Sequence, residues 1–273
     1  MEPGSTPRRL RQRIVQQSAP AFFARTSCLL AVVALLLAPA AHGNEPVRIA
    51  AASDLRFALD DIIALYRGDN PDANIQAIYG SSGKMTTQII NGAPYDLFFS
   101  ADIAFPERLH AEGLTATEPA VYAIGRIVIW SSTLDAASLT LEDLAADNIR
   151  RVAIAQPAHA PYGMRAEEAM QSAGVWEAVQ GKLVFGENIA HAAQMAESGA
   201  AQVGIIALSL AKFPDLAQHS HHLIDDALHH PLTQGYVVTR RGGNKPEAHA
   251  FADFMTTEAA HGVMTRYGFE MPD

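Results

Sequence analysis

From Val47 onward the chain alternates two kinds of apolar pattern: short runs rich in β-forming residues, and longer stretches whose apolar positions recur every three or four residues. Val47 and Ile49 alternate, and Leu55, Ala58, Leu59, Ile62, Ile63 and Tyr66 then fall at helical spacing, which predicts a strand followed by an amphipathic helix. Residues 75–79 form the next predicted strand. Met85, Gln88 and Ile89 open a helix that stops at Asn91-Gly92-Ala93-Pro94. Residues 96–100 (DLFFS) read as a third, buried strand. After a linker, residues 121–130 are apolar and β-rich but are broken by Gly125 and Arg126. A second series follows: strand 151–155, helix 163–173, strand 182–185, helix 189–197 and strand 203–207. Such alternation predicts an α/β fold with mostly parallel sheets flanked by helices.

The break at Gly125-Arg126 and the late apolar stretch Tyr236-Val237-Val238 divide the chain further. Two C-terminal helices, 246–256 and 258–267, look like the completion of the first sheet's helical cover. The predicted organisation is therefore a first lobe begun by residues 44–124, a second lobe over 125–231, and a return of 232–273 to the first lobe. Two such crossings make a hinge.

Residues 1–43 have a different pattern. Arginines at 8, 9, 11, 13 and 25 precede the uncharged run 28–41 and then Ala41-His42-Gly43, the order of a secretory signal peptide. The run is shorter than the ~20 residues that span a bilayer. A periplasmic protein is expected. The single cysteine, Cys28, precedes the apolar run and is not placed for lipid attachment. The whole chain carries −9, and residues 1–43 contribute +4 (five arginines against Glu2), which leaves −13 on the remainder. So acidic a surface argues against nucleic acid or an anionic membrane as partner. Any bound anion must be held by local donors.

Local donors are what the strand-to-helix turns offer. Ala51-Ala52-Ser53-Asp54 and Gly80-Ser81-Ser82-Gly83-Lys84 each place a serine where a helix starts. Either serine alone reads as an ordinary N-cap. Two of them at neighbouring strand ends face one crevice and can seat an anion. GSSGK is not a phosphate loop, because only two residues separate its glycines and Met85 follows the lysine. In the second lobe Tyr162 and the Asn188-Ile189 turn occupy equivalent junctions. Tyr162 offers a phenol O–H, and Ile189 offers the N–H of a helix start; a surface tyrosine in a proline-stiffened loop is the alternative. His219, His221, His222, His229 and His230 surround Asp225 and Asp226, but their spacing matches no tetrahedral zinc pattern and reads as a solvated loop. There is no GxSxG elbow and no serine with an assignable base.

Five segments, AASDLRFALDDI (51–62), YGSSGKMTTQIINGAPYDLFFSAD (79–102), AIAQPAHAPYGMRAEEAM (153–170), FGENIAHA (185–192) and RYGF (266–269), closely resemble the periplasmic molybdate-binding component of the molybdate ABC importer. The likeness runs in order along nearly all of the chain after residue 43, and GAPYDLFFSAD is its most specific block. It implies a two-lobed type II periplasmic-binding fold that closes over the anion and then docks, as a monomer, on a membrane permease. It implies no enzymatic activity and no cofactor beyond the ligand, molybdate or tungstate. Carried over by position, the ligand-binding set is Ser53, Asp54, Ser82, Tyr162, Asn188 and Ile189, the last through its backbone.

Asp54 departs from the hydroxyl or amide residue of one branch of that family, and Ala207 stands where that branch keeps a ligand tyrosine. The resemblance to another branch implies that Tyr162 takes over the second role from a different loop. For Asp54 the reading adopted is that the side chain points away and caps its own helix, offering only its N–H. The other readings are that it accepts a proton from a protonated anion such as hydrogen phosphate, or is itself protonated. Competing classes are a carrier of another oxyanion or of ferric ion, which needs clustered anionic or phenolate ligands, and a hydrolase built on Ser82.

Overall fold

The computed structural model describes residues 45–272. The expected signal peptide, 1–43, lies outside the described residues. The described residues belong to one compact unit that contains two five-stranded sheets.

The first sheet has the order β2-β1-β3-β10-β4, with β1 at Val47–Ala52, β2 at Ile75–Gly80, β3 at Leu97–Ser100, β4 at Ala120–Gly125 and β10 at Leu232–Val238. β1 pairs in parallel with β2 and β3, and β10 runs antiparallel between β3 and β4. Both faces of the central strands β1 and β3 are covered, so these two are apolar on both sides. Ile49, Ala51, Leu97 and Phe99 pack with α1 (Arg56–Asp69) and with the C-terminal helices Pro246–Phe254 and Glu258–Arg266. Ala50, Phe98 and Val237 face the other way, onto Met85 and Ile89 of α2 (Ser82–Ile90) and Leu109 of α3 (Ala104–Ala111).

The second sheet has the order β7-β6-β8-β5-β9, with β5 at Ile127–Trp130, β6 at Val152–Ala155, β7 at Leu183–Gly186, β8 at Val203–Ala207 and β9 at His221–Leu223. β6 is parallel to β7 and β8, whereas β5 is antiparallel to β8 and β9. Its core takes in α4 (Pro161–Ser172), α5 (Ile189–Glu197) and α6 (Leu208–Ala211). Proline at the first turn of α4 suits a position whose N–H has no intrahelical acceptor.

The chain leaves the first sheet at Arg126, the one residue between β4 and β5, and returns between Leu228 and Leu232. Arg126 is paired with Asp226 (3.3 Å) and Glu270 (3.0 Å), which ties the two passages together. Phe57 of α1 stacks on Phe213, just beyond α6, with ring centroids 3.5 Å apart, and this adds an apolar contact between the lobes. Among the described residues no helix is long and apolar enough to cross a membrane.

Candidate functional site

Strand register brings the four turns together. In the first sheet Ala52 lies opposite Gly80, so the short 3-10 turn Ser53–Leu55 and the Ser81-Ser82 start of α2 emerge side by side. In the second sheet Ala155 lies opposite Gly186, so the loop leading to α4 and the Glu187-Asn188 turn leading to α5 also emerge side by side. Each turn delivers a helix N-terminus, whose first N–H groups have no intrahelical acceptor and carry the positive end of the helix dipole. Ser53, Ser82, Tyr162 and Ile189 are all buried.

The two pairs meet across the crevice. The Gly83 N–H and the Ser81 hydroxyl both donate to the His159 carbonyl, at 3.0 and 2.6 Å. A Cβ at position 83 would stand 2.7 Å from that oxygen, so only glycine permits the approach. Lys84 bridges to Glu187 at 2.5 Å on the exposed rim. The Ala190 N–H donates to Ser53 Oγ at 3.3 Å, and the Ser209 hydroxyl donates to the Asp54 carbonyl at 2.8 Å. Deeper, Arg165 of α4 reaches Asp102, beyond β3, at 2.9 Å, and also pairs with Glu168 at 3.0 Å. A cavity of about 380 Å³ opens beside Ser53, Asn188 and Ala190.

The candidate residues are used differently. Ser82 Oγ accepts the Ala101 N–H at 3.0 Å, and Ser53 Oγ accepts that of Ala190, so each hydroxyl keeps its proton for a further acceptor. Asn188 caps α5, its Oδ1 accepting the His191 N–H at 3.0 Å, which leaves its side chain committed to the helix. Ile189 is the first residue of that helix.

Asp54 corrects an expectation. Neither the Ser53–Leu55 turn nor α1 has a side-chain cap, and the carboxylate does not point away. Asp54 is the middle residue of the turn and not its N-cap, so its side chain projects into the crevice. There Oδ2 accepts hydrogen bonds from the Tyr162 hydroxyl (3.0 Å) and Gln234 Nε2 (2.7 Å). Gln234 Nε2 also lies 3.0 Å from the Tyr162 oxygen. Tyr122 donates to Gln234 Oε1 at 2.5 Å, which fixes the amide with its NH₂ toward Asp54. Oδ1 finds no hydrogen-bonding partner among the described residues. Burial pushes the Asp54 carboxyl up from 3.8 to about 6, against the lowering effect of the hydrogen bonds from Gln234 and Tyr162 and of the nearby N–H groups of Asp54 and Leu55, neither of which is within hydrogen-bonding geometry of Oδ1. Burial also holds the Tyr162 and Tyr122 phenols well above their ordinary range.

Gln234 and Tyr122 belong to the site and are not singled out in the sequence, while Gly125 is read there only as a break between strands and His159 only as part of the loop before α4. Gln234 had one legible signal, as a lone amide in the buried run LTQGYVV. A Cβ on Gly125 would strike both the Tyr162 hydroxyl and Gln234 Nε2, so the phenol seats on a glycine at the lobe crossing. Among the described residues no group of three or more His, Cys, Asp or Glu converges to hold a metal ion. His219 joins Trp130 edge to face, and His229 Nδ1 meets the His230 carbonyl.

Residues 47–270 match the family of bacterial extracellular solute-binding proteins. The molybdate-binding protein ModA of Azotobacter vinelandii is 33% identical over 249 residues, 90% of this chain and 98% of that one. The protein of the same name from Rhodobacter capsulatus is 34% identical over 244 residues, 88% and 93% of the two chains. In three dimensions the Azotobacter vinelandii periplasmic molybdate-binding protein superposes with a TM-score of 0.77 at 28% identity, over 83% of this chain and all of that one.

Proposed function

We propose, because the chain belongs to the family of bacterial extracellular solute-binding proteins, that it captures molybdate in the crevice between its lobes and delivers it to an ABC importer. Two relatives named as molybdate-binding match it over almost their whole length and support that ligand. The observation that carries the reading is the convergence of four strand-to-helix turns, with the hydroxyls of Ser53 and Ser82 on one side and Tyr162 and the start of α5 on the other.

All of these donors are neutral. They are satisfied together only when the lobes meet, so the ligand shifts the hinge toward the closed form. Helix N-termini add partial positive charge without a counter-ion. Oxygen spacing then favours molybdate and tungstate over the smaller sulfate, and the cage does not separate the first two. The protein works as a monomer in the periplasm, with a membrane permease as its partner.

Binding is favoured over a hydrolase built on Ser82. Its Oγ meets the Ala101 N–H, and among the described residues no imidazole or carboxylate is hydrogen-bonded to it as a base. Ferric ion fits less well. Tyr122 and Tyr162 do approach one another through Gln234, but burial drives both phenols away from the phenolate form that iron would need. Isothermal titration of the purified protein with molybdate, tungstate, sulfate, phosphate and ferric citrate tests the assignment. One-to-one binding of molybdate and tungstate, at least a hundredfold tighter than sulfate, is expected. Heat from phosphate or ferric citrate but none from molybdate would overturn it.

A further inference from the structure

The phenol assigned to the anion is already engaged. Tyr162 and Gln234 both donate to Asp54 Oδ2, and the carboxyl that receives them is buried with its other oxygen unpartnered among the described residues. An ionised Asp54 thus behaves as a resident anion, competing for the donors that a dianion would use and repelling it at close range. A neutral Asp54 has the opposite effect. Its O–H is a donor in a place where a tetrahedral oxyanion presents acceptors, and Tyr162 is released to the ligand.

We infer that Asp54 is the specificity-determining residue of the anion site, engaging a fully ionised oxyanion only as the neutral carboxylic acid, so that each such anion captured brings one proton onto Asp54. The inference rests on the molybdate reading above and adds the linkage to it. Proton and charge balance: molybdate enters as the dianion, one proton comes from solvent, and the pair adds a net single negative charge to the protein. Hydrogen phosphate carries its own proton and can share it with Asp54, so it takes none from solvent.

The surroundings make Asp54 the group that titrates. It is faced by Tyr162 of α4 and Gln234 of β10, with Tyr122 of β4 behind the amide, and the Ser209 hydroxyl of α6 takes its backbone carbonyl. Both phenols stay protonated. Of the other elements packed on its turn, α1 contributes Arg56 and α5 His191, both exposed, Lys212 just beyond α6 is exposed, and Tyr79 of β2 is held by Asp60. None of these is hydrogen-bonded to the Asp54 carboxyl. With its carboxyl raised to about 6, Asp54 is largely ionised in the free protein at neutral pH and must be reprotonated on capture. His159 also lines the crevice. Burial lowers it below its ordinary range, and it contacts Ser81 and not Asp54.

The test is titration calorimetry with molybdate on the wild-type protein and on Asp54→Asn from pH 5.5 to 8, each pH in two buffers of different ionisation enthalpy. For the wild type, affinity is expected to fall by up to tenfold per pH unit above 6, with proton uptake approaching one per anion at pH 7.5. Asp54→Asn is expected to bind molybdate at pH 8 at least tenfold more tightly than wild type, with no proton uptake. Wild-type binding that is flat across this range, with no proton taken up, would overturn the inference and leave the molybdate assignment standing. Failure of the wild type to bind molybdate or tungstate at any of these pH values would instead overturn the assignment itself. Should Asp54→Asn not fold, the buffer dependence of the wild type alone decides.

Discussion

A buried carboxyl whose neutral form the fold prefers must weaken the fold as it ionises, and Asp54 supplies the magnitude. In the unfolded chain its pKa is the ordinary 3.8, and in the folded protein burial raises it to about 6. Between these values the folded state holds the proton more tightly than the unfolded state does. The associated stabilisation is therefore complete below pH ~4 and lost as pH rises through ~6. The separation corresponds to ~3 kcal/mol, a sizeable share of the ~5–15 kcal/mol that holds a typical protein folded. Replacing Asp54 by Asn keeps the shape and removes the titration. Urea denaturation of both proteins without added oxyanion, at pH 4.5, 6 and 7.5, measures the difference. The stability of wild type relative to Asp54→Asn should fall by about 2 kcal/mol between pH 4.5 and 7.5, the remainder being lost already below pH 4.5. A difference that stays constant within ~0.5 kcal/mol would show that the Asp54 carboxyl is not perturbed and would remove the physical basis for its role in the crevice.

Tyr162→Phe removes a donor while leaving Gln234 on Asp54, so molybdate affinity should drop about five- to tenfold, ~1–1.4 kcal/mol, with little change in melting temperature; calorimetry reads the first and thermal melting the second. Gly125→Ala pushes a methyl onto the Tyr162 hydroxyl and Gln234 Nε2, and should cost ~1–3 kcal/mol in stability and at least tenfold in molybdate affinity, although residue 125 reaches the anion only through those two side chains. Ser82→Ala strands the buried Ala101 N–H, so an urea titration should show ~1–3 kcal/mol of lost stability along with weakened anion binding. Asp102→Asn takes away the charge that Arg165 meets across the lobes. Arg165 keeps Glu168, so a loss of ~1–3 kcal/mol is expected in denaturation, smaller than for a buried pair left wholly uncompensated.

The parts of the site readable in the sequence are those whose chemistry is local. Ser53, Ser82, Tyr162 and Ile189 stand at strand-to-helix junctions, where hydrophobic period, small residues and a proline mark the turn within a few positions. The parts that were not readable depend on pairing at a distance. Gln234 meets Tyr122 across 112 residues, because β10 is inserted antiparallel between β3 and β4. An apolar run announces a strand but does not give its direction or its neighbours. The same holds for β9, three residues of a histidine-rich segment that form a strand only because β5 offers an edge. Asp54 shows the limit most clearly. Its place in a turn was legible, but the direction of its side chain was set by Tyr162 and Gln234, which come from two other elements.

The most direct test of the site's design is the salt dependence of molybdate affinity at pH 6, between roughly 20 mM and 500 mM sodium chloride, where the Debye length falls severalfold. A cage of buried neutral donors in a protein of formal charge −9 holds the anion without the exposed cations nearby, such as Lys84 on the rim, so affinity should stay within about threefold or rise slightly as the protein's own repulsion is damped. A fall of tenfold or more would mean that cationic side chains hold the anion, and would contradict the assignment of Ser53, Ser82, Tyr162 and the helix N-termini as its seat.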